Sequence, residues 1–415
     1  MSHSGSTFRF ETLALTGLAL LVALMAPGCG SSEHPAVSKA RQVFQEKFEE
    51  RPEYASYGFS ITAQVDEPFS RGLAIEALAS DHYPTALEAV RAISDNPPQE
   101  AREALQAVFA GKKGSLQVQA AVALARLGDD PATEWLKEQV ASGAAAMNPA
   151  VVTLLAANGA QEVVEPALRE TAGSDDPERR NEAYAILGEI GASWSTGLLL
   201  EGLEKEFGEE RLQAIVSLGR AGDVSASPTI QRFINTKGLV FASIEALGRL
   251  GDPNSVKGLQ LMAEHDEPLV RAYAGAALWN LGDNETARAV LDPLVAHDEA
   301  SVRRNLAEQL SELEDEAATS LLVALAGDSD AAVRSTAVRA LGERTSAEAA
   351  AALLGAIGDS SADVKILALN GLAGAGGADA IPSLAPLLDD PNPYVALSAA
   401  HGILAIHDRT SAATG

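Results

Sequence analysis

The chain has 415 residues, a formal net charge of −26 and only 5% aromatic residues. That charge excludes a nucleic-acid binder, because a polyanion would be repelled, and no basic stripe offsets it. Alanine, leucine and glycine dominate, β-branched residues never collect into alternating runs, and the acidic residues are spread as a solvated face, so the expected class is all-α.

The first element is an address. "MSHSGSTFRFETLALTGLALLVALMAPGCGSS" has a polar start, an apolar run from Leu13 to Met25, a helix-breaking Pro27 and then Gly28-Cys29. This is the layout of an export signal, and the run is shorter than the ~20 residues a membrane span needs. Ala26-Pro27-Gly28-Cys29 resembles a bacterial lipobox, with Ala26 where that motif usually has leucine and with Arg9 nearly cancelled by Glu11. The resemblance implies that residues 1–28 are a lipoprotein signal peptide, that Cys29 is lipidated, and that Gly30 directs the chain to the outer membrane, facing the periplasm or the cell surface. An ordinary secretory cut near Gly28, leaving a free thiol, is the other reading. An exported chain with one cysteine forms no internal disulfide.

Residues 29–66 read as a short polar tether and a capping helix. In "AVSKARQVFQEKFEE", Val37, Ala40, Phe44 and Phe48 fall near helical spacing, and Tyr54, Tyr57 and Phe59 follow. The helix is expected to cover the apolar face of the first unit of a stack. A partner-binding aromatic patch is the alternative.

From 67 to 407 the chain repeats. "DEPLVRAYAGAALWNLGD" returns as "DEASVRRNLAEQLSELED", "DSDAAVRSTAVRALGERT", "DSSADVKILALNGLAGAG" and "DDPNPYVALSAAHGILAI". Val270, Val302, Val333, Val364 and Val395 keep register, as do Leu278, Leu310, Leu341, Leu372 and Ile403, so each first helix has one buried stripe. Upstream segments extend the period to about eleven first helices, most followed by a second. Asp266, Asp298, Asp328 and Asp359 are expected to cap the following helix. Gly128, Gly222, Gly251 and Gly282 are expected to end helices in the left-handed conformation. Ala246, Ala277, Ala340, Gly371 and Gly402 provide a small inner position for close helix approach. A unit of about 31 residues cannot bury its face alone, so the units must stack into an α-α superhelical solenoid. The pattern Asp…Val-Arg-x-x-Ala-x-x-Ala-Leu-x-x-Leu-Gly-Asp resembles the HEAT repeat, in its short phycobilisome-lyase-type form. Residues 408–415 read as a disordered tail.

No nucleophile elbow, phosphate loop, H-E-x-x-H or cysteine pair is present, so no catalytic residue and no cofactor is expected. His265 and His297, each followed by an aspartate, fall one repeat apart, but a spacing of ~10 Å is too wide for a shared metal and no metal is expected. Arg271, Arg303, Arg334 and Lys365 read as a structural Asp/Arg ladder, each cation near a carboxylate of its own or the preceding unit. In "RRNLAEQLSELEDE", Gln309 takes the small inner position and Asn305 also faces inward, which marks an irregular joint. The expected function is a non-enzymatic, lipid-anchored scaffold that holds an unidentified protein or peptide on a concave face lined by the second helices. A HEAT-type lyase or enzyme accessory subunit, and an architectural envelope protein without a discrete ligand, are the alternatives.

Overall fold

The computed structural model describes residues 34–50, 57–58, 68–80, 82–143, 148–313 and 315–412. Residues 1–28, expected to be a signal peptide, and Cys29, Tyr54 and Phe59 lie outside them. In chain order the helices are α1 (Pro35–Glu50), α2 (Pro68–Ala77), α3 (Tyr83–Ser94), α4 (Arg102–Gly111), α5 (Ser115–Arg126), α6 (Asp130–Ala141), α7 (Pro149–Ala157), α8 (Gln161–Ala172), α9 (Pro177–Ile190), α10 (Ser193–Lys205), α11 (Gly208–Ala221) and α12 (Ser227–Gln231). They continue as α13 (Val240–Leu250), α14 (Val256–Ala263), α15 (Pro268–Asn280), α16 (Asn284–Leu291), α17 (Ala300–Ser311), α18 (Glu316–Ala326), α19 (Ala331–Gly342), α20 (Ala347–Ala356), α21 (Ala362–Ala375), α22 (Ile381–Leu384) and α23 (Pro393–Ala412). No strand occurs among the described residues. Odd-numbered helices from α3 to α23 are the first helices of the repeats, and the even-numbered helices between them are the second.

The described residues form two compact units, one within 34–123 together with 377–412 and one within 124–376. In the first, α1 has the buried stripe its spacing predicts, with Val37, Ala40 and Phe44 fully buried. Its main partner is α23, the last helix of the chain. The expected cap of the first repeat is therefore a cap of the last one. Lys39 pairs with Asp389, the Tyr57 hydroxyl lies 2.8 Å from Ser398 Oγ, and the Tyr57 ring stands edge-on to Tyr394. The last helix continues to Ala412, through most of the segment expected to be a disordered tail.

In the second unit each first helix buries the repeated valine and leucine: Val270 and Leu278, Val302 and Leu310, Val333 and Leu341, Val364 and Leu372. Fully burying such a side chain contributes about 1.5–3 kcal/mol, so the stripe is what makes neighbouring repeats stack. Gly222, Gly251 and Gly282 end or follow their helices at positive φ, as Gly128 does earlier in the same unit. The first helices approach one another backbone to backbone: a Cβ on Gly219 would lie 2.7 Å from the Cα of Ala246, and one on Gly248 2.8 Å from that of Ala277. Gly342 and Gly371 meet in the same way. Arg249, near the end of α13, reaches over α15 to Glu312, just past α17, at 2.9 Å. Only the shorter arc of a curved stack permits a side-chain bond across two repeats whose helices are spaced ~9 Å apart. The first helices therefore form the inner row of this unit, where the sequence reading placed the second helices.

Candidate functional site

The N-terminal ends of the first helices carry a repeated turn. In it a side-chain acceptor takes the backbone N–H two residues ahead. Asp328 Oδ1 accepts from Asp330 at 2.8 Å and Asp359 Oδ1 from Ser361 at 2.7 Å. His265 Nδ1 and His297 Nδ1 do the same for Glu267 and Glu299, at 3.0 and 3.2 Å. Both histidines thus stand in the aspartate's place. Asp266 and Asp298 lie one residue too late and cap nothing, and Asp328 and Asp359 close the turn before the helix while Asp330 caps α19 through the N–H groups of Ala332 and Val333. No group of three or more His, Cys, Asp or Glu side chains among the described residues is placed to hold a metal ion.

Six residues after each acceptor an arginine donates to its carbonyl: Arg271 to His265 at 2.9 Å, Arg303 to His297 at 2.6 Å and Arg334 to Asp328 at 2.9 Å. The remaining edge of the guanidinium then forks onto the acceptor of the next repeat. Arg303 Nε and Nη2 donate to Asp328 at 2.6 and 2.8 Å, and Arg334 to Asp359 at 2.7 and 2.9 Å. The ladder runs forward, to the following unit and not to the same or preceding one. These arginine hydrogen bonds hold the Asp328 and Asp359 carboxyls below the usual carboxylate range, and the carboxylates in turn raise Arg303 and Arg334.

The same register begins at Arg180, which donates to the Ser174 carbonyl at 2.9 Å and pairs with Glu206 at 3.3 Å and Glu210 at 2.8 Å. Tyr184 donates to Glu206, and burial followed by that carboxylate pushes the phenol up to about 12. The ring sits over Gly202, where any Cβ would collide with it at 2.6 Å. Arg169, Lys205 and Glu201 complete a cavity of about 260 Å³. At the next rung Arg211 pairs with no carboxylate among the described residues and lies 4.7 Å from the Phe207 ring centre and 5.1 Å from that of Phe233.

The irregular repeat falls on the inner row. Where Gly219 of α11 meets Ala246 of α13 and Gly248 of α13 meets Ala277 of α15, the register of α15 and α17 places Trp279 and Gln309. The Asn305 and Gln309 amides lie beside the Tyr273 hydroxyl and lower its pKa, which is nonetheless raised, chiefly by burial and then by Glu245 and Glu308. The Tyr273 ring lies 4.9 Å from Phe241. Two buried polar atoms at this joint have no partner in the structure: Trp279 Nε1 and Asn305 Oδ1. Arg249, Glu312, Arg339 and Glu343 are exposed around the same row, so the inner face is polar where an apolar lining by second helices was expected. Sequence reasoning named Asn305 and Gln309 but missed Tyr273 and Trp279, whose aromatic character at helical spacing reads as ordinary core.

Residues 196–279, 256–331 and 287–365 match the family of HEAT repeats. No curated protein sequence matches the chain. Among solved structures, the complex of CpcE and CpcF of phycocyanin lyase from Nostoc sp. PCC7120 is 20% identical, over 62% of this chain and 94% of that one, with a TM-score of 0.39. Kap121p is 14% identical over 96% of this chain and 49% of its own, with a TM-score of 0.35. Human deoxyhypusine hydroxylase in complex with glycerol is 16% identical over 61% of this chain and 99% of that one, with a TM-score of 0.30. The protein is an all-α solenoid whose residues 196–365 match HEAT repeats.

Proposed function

We propose that the protein is a non-enzymatic scaffold that holds a partner protein along the inner row of first helices in its second unit. The observation that carries this reading is the row itself: backbone-close helices rigidify it, while Tyr273, Arg249, Glu308, Glu312, Arg339 and Glu343 leave it lined with polar groups. A fixed frame with a polar, aromatic-anchored face is suited to reading a folded or extended partner at low ordering cost. Lipidation of Cys29 would hold this frame at a bacterial envelope membrane. The export-signal layout of residues 1–28 supports that placement. Among the described residues no helix is long and apolar enough to cross a membrane.

The test is cross-linking in cells followed by detergent purification of the tagged chain and mass spectrometry, with Cys29→Ala beside the wild type. A discrete protein enriched with the wild type, together with loss of Cys29→Ala from the membrane fraction, is the expected result. No enrichment contradicts the scaffold, and Cys29→Ala remaining in the membrane fraction contradicts the lipid anchor.

A further inference from the structure

The edge ladder has an open rung. Arg303 and Arg334 each use one edge to hold their own turn and the other to fork onto a carboxylate of the next repeat. Arg271 makes only the first half. Its Nη1 donates to the carbonyls of His265 and Asp266, both at 2.9 Å, and no contact engages its Nε and Nη2 edge among the described residues. The reason is the residue at the receiving position. Where the next repeats present Asp328 and Asp359, this one presents His297, whose Nδ1 is already the acceptor for the Glu299 N–H.

We propose that the Arg271 fork is a binding site for one carboxylate from outside the chain, an aspartate or glutamate side chain or the C-terminal carboxylate of a bound protein segment. The two intact rungs supply the template. In each, a carboxylate accepts two parallel hydrogen bonds of 2.6–2.9 Å from the same guanidinium edge, held by the same pair of backbone carbonyls. A planar carboxylate matches that fork better than a point-like halide does. The surrounding chain is strongly acidic, with a net charge of −26. The segment that delivers the carboxylate is therefore basic in its remaining charge, since like charge across an interface is costly. The rung also lies at the joint between α15 and α17, where Trp279 and Gln309 replace the glycine–alanine contact, so the same two helices carry both departures from the repeat. This inference deepens the scaffold reading by naming a group that the partner presents, and it rests on that reading only for the partner.

The measurement separates the two. The purified full-length chain, His297→Asp and Arg271→Gln are melted in chloride, acetate and inorganic phosphate at equal ionic strength. His297→Asp rebuilds the rung from within, as Asp328 does one repeat on, and keeps an acceptor for the Glu299 N–H. In chloride it should melt above the wild type, and replacing chloride by acetate should raise the wild-type melting temperature by about 2 °C while leaving both variants unmoved. Equal acetate shifts in all three proteins, or no gain from His297→Asp, overturns the open rung. Stabilisation by phosphate without stabilisation by acetate overturns the carboxylate assignment. Failure to capture any partner in cells leaves this result standing and removes only the scaffold.

Discussion

Asp359 accepts two hydrogen bonds from Arg334 and one from the backbone ahead of it, so a single carboxylate ties two repeats together. Both members of the pair are mostly shielded, with side-chain exposures of 15% and 12%. Asp359→Ala strands the guanidinium and should cost about 2 kcal/mol in urea unfolding, well above the loss from an exposed pair such as Lys205–Glu201. Because the folded-state pKa values of Asp328 and Asp359 lie below the unfolded value of about 3.9, their contribution is complete above that pH. It is lost as pH falls through the depressed values, and an Asp328→Asn, Asp359→Asn double variant should show a flatter acid limb in urea melts from pH 6 to pH 2. His401 works over a different window. It is fully buried in α23, its Nδ1 has no partner among the described residues, and burial lowers its pKa to about 4. The unfolded chain takes up that proton first, near pH ~6.5, so the first unit should lose stability from about pH 6.5 down to about pH 4. His401→Leu should remove that slope, read by circular dichroism melts across the range.

At the scale of the helix, one glycine is worth more than its propensity suggests. Gly248→Ala adds a favourable helix former, worth ~1 kcal/mol on an exposed surface, yet its Cβ would lie 2.8 Å from the Ala277 Cα. The variant should lose about 1–3 kcal/mol, whereas Gly197→Ala, with nothing within 4 Å of its Cβ, should gain up to ~1 kcal/mol. Thermal melts of the two variants should move in opposite directions. The small inner position was legible because alanine and glycine recur there in register. The buried valine and leucine stripes were legible because helical periodicity follows from burial on one face. Which row is inside was not, since both rows carry small residues and only the Arg249–Glu312 bond and the backbone contacts reveal the shorter arc. The turn acceptors were misplaced for a local reason. His265 and His297 stand five residues before Val270 and Val302, as Asp328 and Asp359 do before Val333 and Val364, so matching Asp266 and Asp298 to those aspartates slips the register by one. Asn305 and Gln309 stood out as polar residues at an inner position, while Tyr273, which they engage, looked like any core aromatic.

Over the whole molecule, the N-terminal helix α1 and the C-terminal helix α23 are packed together, with Tyr57 beyond α1 also reaching Ser398, a pairing no local pattern predicts because it joins residues more than 340 apart. Removing residues 1–50 should expose the apolar face of α23, lower the melting temperature and promote aggregation, and a peptide spanning 35–50 added back should reverse part of that loss. The second unit supplies the proposed binding face along its inner row of first helices. The most direct measurement places a photo-reactive amino acid at Tyr273, on the inner row, or at Leu261, which is 67% exposed on the second helix α14, and irradiates living cells. Capture of one discrete protein from position 273 and not from position 261 is the predicted result. Capture from 261 alone, or from neither position, would contradict an inner-row scaffold.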